Sequence, residues 1–263
     1  MKPSVLIAAG CSWVAAKAID VDPAATTLNF DHVEDPTVVE TLSFAGLLRQ
    51  QLGLDQLVLL AAHGSNNERQ LQGLVDFIES NKNNYSKVYV IWGLTSIYRW
   101  DLYIDSIGKV ENCTMTGYMR HPDLKDTVKH YFSNHWNKDY ELKKLGKNIT
   151  LLNGYLNNLS IDHLFFNSFQ SYNAKDLFSN IESKYFYRVE EQNNDMLSLL
   201  CSVNNIPAPN NSVPWLNLLG AYSHNSVKQL QQIGQLDRAT AHPTAAAHAT
   251  IAEELHRYIK EQQ

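Results

Sequence analysis

Three apolar runs with no polar alternation, Ser4–Ala9, Leu57–Ala62 and Val88–Trp92, constrain the fold of this chain most. A strand with one wet face alternates apolar and polar residues. A run that is apolar throughout is buried on both faces, as in the interior of a parallel sheet. The text between the runs has helical spacing. Phe44, Leu47, Leu48 and Leu52 recur on one helical face, with Gly53 placed as a C-cap. Leu71, Leu74, Val75 and Ile78 line a second helix that starts near Asn66 or Asn67, both competent N-caps. A fourth strand is read at His163–Asn167. A last helix, with Ile251, Leu255, Tyr258 and Ile259 as its stripe, follows His242-Pro243. The pattern predicts one three-layer α/β domain over residues 1–263, with a mostly parallel sheet from strands near 4–9, 56–62, 87–92 and 163–167; no fifth strand is legible.

The length of 263 residues suits one such domain, and 44% apolar against 19% charged residues argues against global disorder. A net charge of −5 without any Lys/Arg block gives no electrostatic reason to expect nucleic acid. Three scattered cysteines form neither a disulfide framework nor a metal knuckle, and the ten histidines show no HExxH spacing, so no metal site is expected. The apolar start before Cys11 is shorter than a signal-peptide core and is read as a strand. No run reaches membrane-spanning length. The expected location is the cytoplasm of the producing cell or host, or a virion. Asp20–Asp35 reads as a loop, and 124–144 as a helix. The aromatic-rich text from Tyr98 onward has no clean period, so residues 98–150 are assigned to a lid, an inserted lobe or an interface.

Ligands of open parallel sheets sit beyond the carboxyl ends of the strands. The loops there carry Gly10-Cys11-Ser12, His63-Gly64-Ser65-Asn66 and Gly93-Leu94-Thr95-Ser96. Ser12 follows a strand and a glycine, where a sharp turn exposes a hydroxyl beside free N–H groups. It can attack a carbonyl if a base is near, or simply cap a helix. Gly64 can aim its N–H at the same space, with Asn66, Thr95 and Ser96 as side-chain donors to a developing oxyanion, or it can be an ordinary turn glycine. His242, on a rigid connector before Pro243, reaches Ser12 as general base if the last helix docks beside the first strand; otherwise it is a surface histidine. His248 reads as a packing or capping group. "GCS" lacks the spacing of a phosphate-binding loop, so a nucleotide-binding protein is a minor alternative.

Taken together, "VLIAAGCSW" at 5–13, "SFAGLLRQQLGLDQLVLLAAHGSNN" at 43–67, "IWGLTSIYRWD" at 91–101, "HLFFNSFQ" at 163–170 and "AHPTAAAHATIAEEL" at 241–255 resemble the SGNH/GDSL hydrolase superfamily, in particular its phage-borne and bacterial branch, in which Gly-Cys-Ser precedes an aromatic residue. The resemblance implies a flavodoxin-like α/β/α sandwich and a cofactor-free hydrolase of acyl or acetyl esters acting on a small-molecule or glycan ester. It maps Ser12 onto the nucleophile, Gly64 onto the glycine oxyanion donor and His242 onto the base. Two positions depart from the family. Ala239 stands three before His242, where the family usually has aspartate, so Asp237 or a backbone carbonyl is left to orient the ring. The third motif has Thr95 and Ser96 where the family has an asparagine, so Asn66, Asn67, Thr95 or Ser96 must supply that donor. These departures keep open a second reading, a non-catalytic glycan-binding or virion-associated structural protein on the same fold.

Overall fold

The computed structural model describes residues 1–17, 19, 35–62, 64–104, 109–114, 125–177, 181–209 and 224–262, and only the backbone of 102–104 and 109–114. The expected loop at 20–34 and His63 lie outside the described residues.

Four strands, β1 (Ser4–Gly10), β2 (Gln56–Leu59), β3 (Lys87–Leu94) and a later strand, β6 (Asp162–Asn167), form a wholly parallel sheet in the order β2-β1-β3-β6. Successive side chains of a strand point to opposite faces, and β1 divides accordingly. Leu6 and Ala8 enter one core with Phe44, Leu48, Leu197, Leu200, Ile251 and Leu255. Val5, Ile7 and Ala9 enter another with Leu74, Ile78, Leu145, Ile149 and Leu152. The β1 and β3 runs are therefore unbroken because both faces are covered; β2, at the sheet edge, is only half-buried, so its apolar run overstates its burial. One layer contains α2 (Phe44–Gln51), α7 (Met196–Val203) and α9 (Ala245–Gln262); the other contains α3 (Asn67–Asn81) and α5 (Lys138–Asn158). This is the expected three-layer α/β/α sandwich. A short helix, α1 (Pro36–Leu42), precedes α2 and is capped by Asp35.

The helix boundaries follow from their caps. Ser43 accepts from Gly46 N and Asn66 from Arg69 N, each satisfying a first-turn N–H that has no partner within the helix. Gly53, at φ +65°, follows the end of α2 in the left-handed region that glycine tolerates. The helix expected over 124–144 is broken. Residues 125–134 form α4, and Asn137 starts α5 by accepting from Tyr140 N. The text after Tyr98 contains an antiparallel hairpin, β4 (Arg99–Ile104) with β5 (Lys109–Thr114). Beyond β6 the sheet is extended by two single parallel bridges, Phe165 to Phe186 and Asn167 to Asp195. A four-residue helix α6 (Ala174–Leu177) and α8 (Asn225–Gln232) complete the described elements.

The strand order fixes where a site can lie. From β1 the chain moves outward to β2 and then crosses back to β3. The connections leaving β1 and β3 therefore depart to opposite faces, and a crevice opens between their carboxyl ends. Ser12 and Thr95 stand at those two ends.

Candidate active site

Gly10 and Gly93 are paired across β1 and β3, and together they shape the turn that carries Ser12. A methyl group on Gly10 would lie 2.2 Å from Val14 Cγ2, and one on Gly93 would lie 2.5 Å from the same atom. The two missing side chains let Val14 fold back over the strand ends. The chain then coils in successive turns: Cys11 O accepts from Val14 N and Ala15 N, and Ser12 O accepts from Lys17 N. Ser12 is presented at the first of these turns and is 3% exposed.

His242 arrives from the opposite end of the chain. The α9 helix lies on α2, with Ala247, Ile251 and Leu255 in the same core as Phe44 and Leu48. His248, on its first turns, stacks on Phe44 and accepts from Phe44 N at 3.2 Å. It is thus the capping group that the sequence suggests, and burial drives its pKa down to about 3. This docking places the connector 236–243 over β1, and His242 Nε2 stands 2.7 Å from Ser12 Oγ. The connector is a closed loop: Leu236 bridges Pro243, Asp237 N donates to His242 O, and Ala241 N donates to Asp237 O. Ala241 takes φ +52°, a conformation that non-glycine residues rarely adopt, immediately before the histidine.

Asp237 lies inside this loop, and its contacts go to the loop itself. Oδ1 accepts from Ala239 N and Thr240 N; Oδ2 accepts from His242 N and from Thr240 Oγ1 at 2.6 Å. The imidazole Nδ1 is hydrogen-bonded to Thr240 Oγ1, at 2.6 Å. Sequence reading missed Thr240. The available signal was a short hydroxyl side chain three residues after an aspartate, the spacing at which a carboxylate caps a turn.

The loops after β2 and β3 follow the strands that flank β1 on either side. Leu60 N donates to Ala8 O and Ala62 N to Gly10 O, continuing the β1–β2 ladder up to the turn that carries Ser12. Gly64, at φ +74°, turns the chain there. Asn67 ties the two loops together, its Oδ1 accepting from Thr95 N and its Nδ2 donating to Thr95 O. Tyr172, fully buried and held neutral by burial, donates to Thr95 O and accepts from Ile97 N. Among the candidate oxyanion side chains, Asn66 uses Oδ1 as the α3 cap and leaves Nδ2 buried with no hydrogen-bond partner among the described residues, and Thr95 Oγ1 is in the same state. Ser96 Oγ accepts from Tyr98 N and so braces its own turn. Nearby, Arg99 reaches Ser65 O and lies over the Phe169 ring, which in turn packs against Trp13. Among the described residues no three His, Cys, Asp or Glu side chains gather as metal ligands.

A buried Ser–His contact beyond the carboxyl ends of a parallel three-layer sheet is the arrangement of a serine-type hydrolase. The family comparison agrees: residues 29–255 match the GDSL-like Lipase/Acylhydrolase model, and the chain belongs to that family of ester hydrolases. The matched span includes Gly64 and His242 and begins after Ser12. Comparison with curated proteins gives no significant match. Among solved structures, the chain resembles a candidate GDSL-like lipase from Parabacteroides merdae at 10% identity, covering 98% of this chain and 96% of that one with a TM-score of 0.41. It resembles a member of the lipolytic G-D-S-L family from Veillonella parvula at 11% identity, 95% of each chain and a TM-score of 0.34. An acetylxylan esterase from Geobacillus stearothermophilus gives 13% identity over 98% of this chain and 96% of that one, with a TM-score of 0.37. The family assignment rests on the 29–255 match. Among the described residues, no helix is long and apolar enough to cross a membrane.

Proposed function

We propose that the chain hydrolyses carboxylic esters, acyl or acetyl, with Ser12 as nucleophile and His242 as general base. The observation that carries this reading is the 2.7 Å contact between Ser12 Oγ and His242 Nε2, within the reach that proton transfer requires. In the first half-reaction Ser12 Oγ bonds to the ester carbonyl carbon while its proton passes to Nε2. The carbonyl electron pair moves onto oxygen. Collapse of the tetrahedral intermediate expels the alcohol, which takes the proton from Nε2, and leaves an acyl-serine. Water then repeats the sequence with the same histidine and releases the acid.

The oxyanion forms next to the turns of Ser12 and Gly64, whose N–H groups are the assigned backbone donors. Asn66 Nδ2 is the preferred side-chain donor, because it is a buried donor with no hydrogen-bond partner among the described residues and sits two residues from Gly64. Thr95 Oγ1 is the second choice; Ser96 is the weakest, since it braces Tyr98. Gly10-Cys11-Ser12 followed by Trp13 supports a place in the phage-borne and bacterial branch of the superfamily. The lid assigned to 98–150 narrows in this reading to the β4–β5 hairpin and α4, since α5 is a layer of the sandwich. That lobe is joined to α3 by an Arg69–Asp101 ion pair and built on an aromatic cluster of Tyr98, Trp100, Phe132 and Trp136. Small acyl and glycan esters are the assigned substrates.

Turnover of short-chain nitrophenyl esters and acetylated sugars tests the reading. The wild type should hydrolyse at least one of them, and Ser12→Ala should not. Equal rates in the two proteins would eliminate Ser12 as nucleophile.

A further inference from the structure

We infer that Thr240 is the positioning residue for His242, and that its hydroxyl relays the influence of Asp237 to an imidazole the carboxylate does not itself contact. The inference rests on the proposed roles of Ser12 and His242.

Hydrogen placement along the chain of contacts follows from chemistry. Thr240 Oγ1 lies 2.6 Å from Asp237 Oδ2, and the other contacts of that carboxylate are backbone N–H donors. A carboxylate so surrounded has no hydrogen to give, so the single hydroxyl hydrogen of Thr240 lies between Oγ1 and Oδ2. Only lone pairs of Oγ1 then face His242 Nδ1, 2.6 Å away. Nδ1 must carry the ring hydrogen. Nε2 is therefore bare, and it is the atom that faces Ser12 Oγ at 2.7 Å. The run Ser12, His242, Thr240, Asp237 thus has one hydrogen in each gap, all pointing toward the carboxylate. The reverse tautomer would need the Thr240 hydrogen turned to Nδ1. Two oxygens would then be left 2.6 Å apart with nothing between them, one of them charged.

The consequence for the reaction is direct. When Ser12 attacks, its proton enters Nε2, the Nδ1 hydrogen stays in place, and the imidazolium is stabilised through the aligned Thr240 hydroxyl. Asp237 remains a carboxylate throughout. Threonine suits the task because its β-branch restricts χ1, and the same loop holds its backbone N–H on Asp237 Oδ1.

The test uses the full chain labelled with ¹⁵N-histidine, at a pH where the imidazole is neutral, with His242→Asn to assign the resonance. The expected spectrum shows the hydrogen on Nδ1 of His242. Thr240→Ser should keep that tautomer and hold kcat within about threefold of wild type. Thr240→Val should mix the tautomers and lower kcat about 10- to 100-fold with KM little changed, the cost of losing a hydrogen bond next to a charged group. An Nε2–H tautomer in the wild type would overturn the inference whether or not Thr240→Val folds. So would a Thr240→Val protein with unaltered tautomer and kcat. If no ester is hydrolysed but the tautomer still shifts in Thr240→Val, the positioning role stands and the hydrolase assignment of Ser12 and His242 falls.

Discussion

Replacing Asp237 with asparagine removes one charge and almost no volume, yet the structure predicts that it reverses the hydrogen-bond order of the site. Asp237 Oδ1 accepts from Ala239 N and Thr240 N, and Oδ2 accepts from His242 N and Thr240 Oγ1. An amide keeps one acceptor oxygen and turns the other into a donor. With its oxygen in the place of Oδ2, two backbone N–H groups face the NH₂; with its oxygen in the place of Oδ1, only one does. Each buried N–H left without an acceptor costs about 1–3 kcal/mol, so the second orientation is favoured by roughly 5- to 150-fold. In that orientation the NH₂ donates to Thr240 Oγ1, the threonine hydrogen swings to His242 Nδ1, and Nε2 acquires the proton that should be absent. Loss of the carboxylate charge opposite the forming imidazolium adds roughly a further factor of ten. The expected result is a fall in kcat/KM of about 10²- to 10³-fold, together with a loss of about 1–3 kcal/mol in unfolding free energy from the one N–H left unpaired. Initial rates on a nitrophenyl ester and a urea titration measure the two quantities. A variant that loses the stability but keeps kcat/KM within about threefold of wild type would refute the reasoning, because Asp237 would then be a staple of the loop and nothing more.

Three further outcomes are expected. His248 is buried neutral with its pKa near 3 against 6.5 in the unfolded chain, so below pH 6.5 the unfolded state binds a proton that the folded state does not. Its contribution to stability should therefore fall by about 2 kcal/mol between pH 7.5 and pH 5, and urea titrations of wild type and His248→Asn, which keeps an acceptor for Phe44 N, should show that difference; parallel curves would reject it. Gly10→Ala should destabilise the fold by about 1–3 kcal/mol, since the added methyl meets Val14 Cγ2 at 2.2 Å, and adding Val14→Ala should recover part of the loss in Tm and activity. Asn66→Asp keeps the acceptor that caps α3 and removes the Nδ2 donor. It should lower kcat about 10²-fold or more with little change in Tm, and an unchanged kcat would move the oxyanion role to Thr95.

The strands were legible because burial on both faces leaves Val5–Ala9 wholly apolar, and Val88–Trp92 apolar but for the Tyr89 hydroxyl. Ser12 and His242 stood out because Gly10 and Pro243 punctuate the chain beside them. Thr240 was not legible. Its part depends on the 236–243 loop closing on itself, with Ala241 at positive φ and Leu236 bridged to Pro243. Where that loop sits is set by α9 docking on α2, a contact between residues some two hundred positions apart. The β4–β5 hairpin was hidden for a different reason. Its aromatic residues pack on α4 and its flank, with Trp100 on Tyr131 at 5.0 Å and Tyr98 on Trp136 at 4.5 Å. Neither strand periodicity nor helix periodicity describes that packing. The broken helix at 135–137 shows the limit of apolar spacing, which continues through an interruption that only the Asn137 cap marks.

The central claim, that Ser12 is a nucleophile activated by His242, is tested most directly by intact-protein mass spectrometry after exposure to a fluorophosphonate. Attack by Ser12 Oγ on phosphorus expels fluoride and leaves one covalent adduct, which peptide mapping locates. The account predicts a single adduct on Ser12 in the wild type, none in Ser12→Ala, and labelling slowed by about 10²-fold or more in His242→Ala, where no base accepts the proton. Labelling of Ser12 at the wild-type rate in His242→Ala, or an adduct that persists in Ser12→Ala, would contradict it.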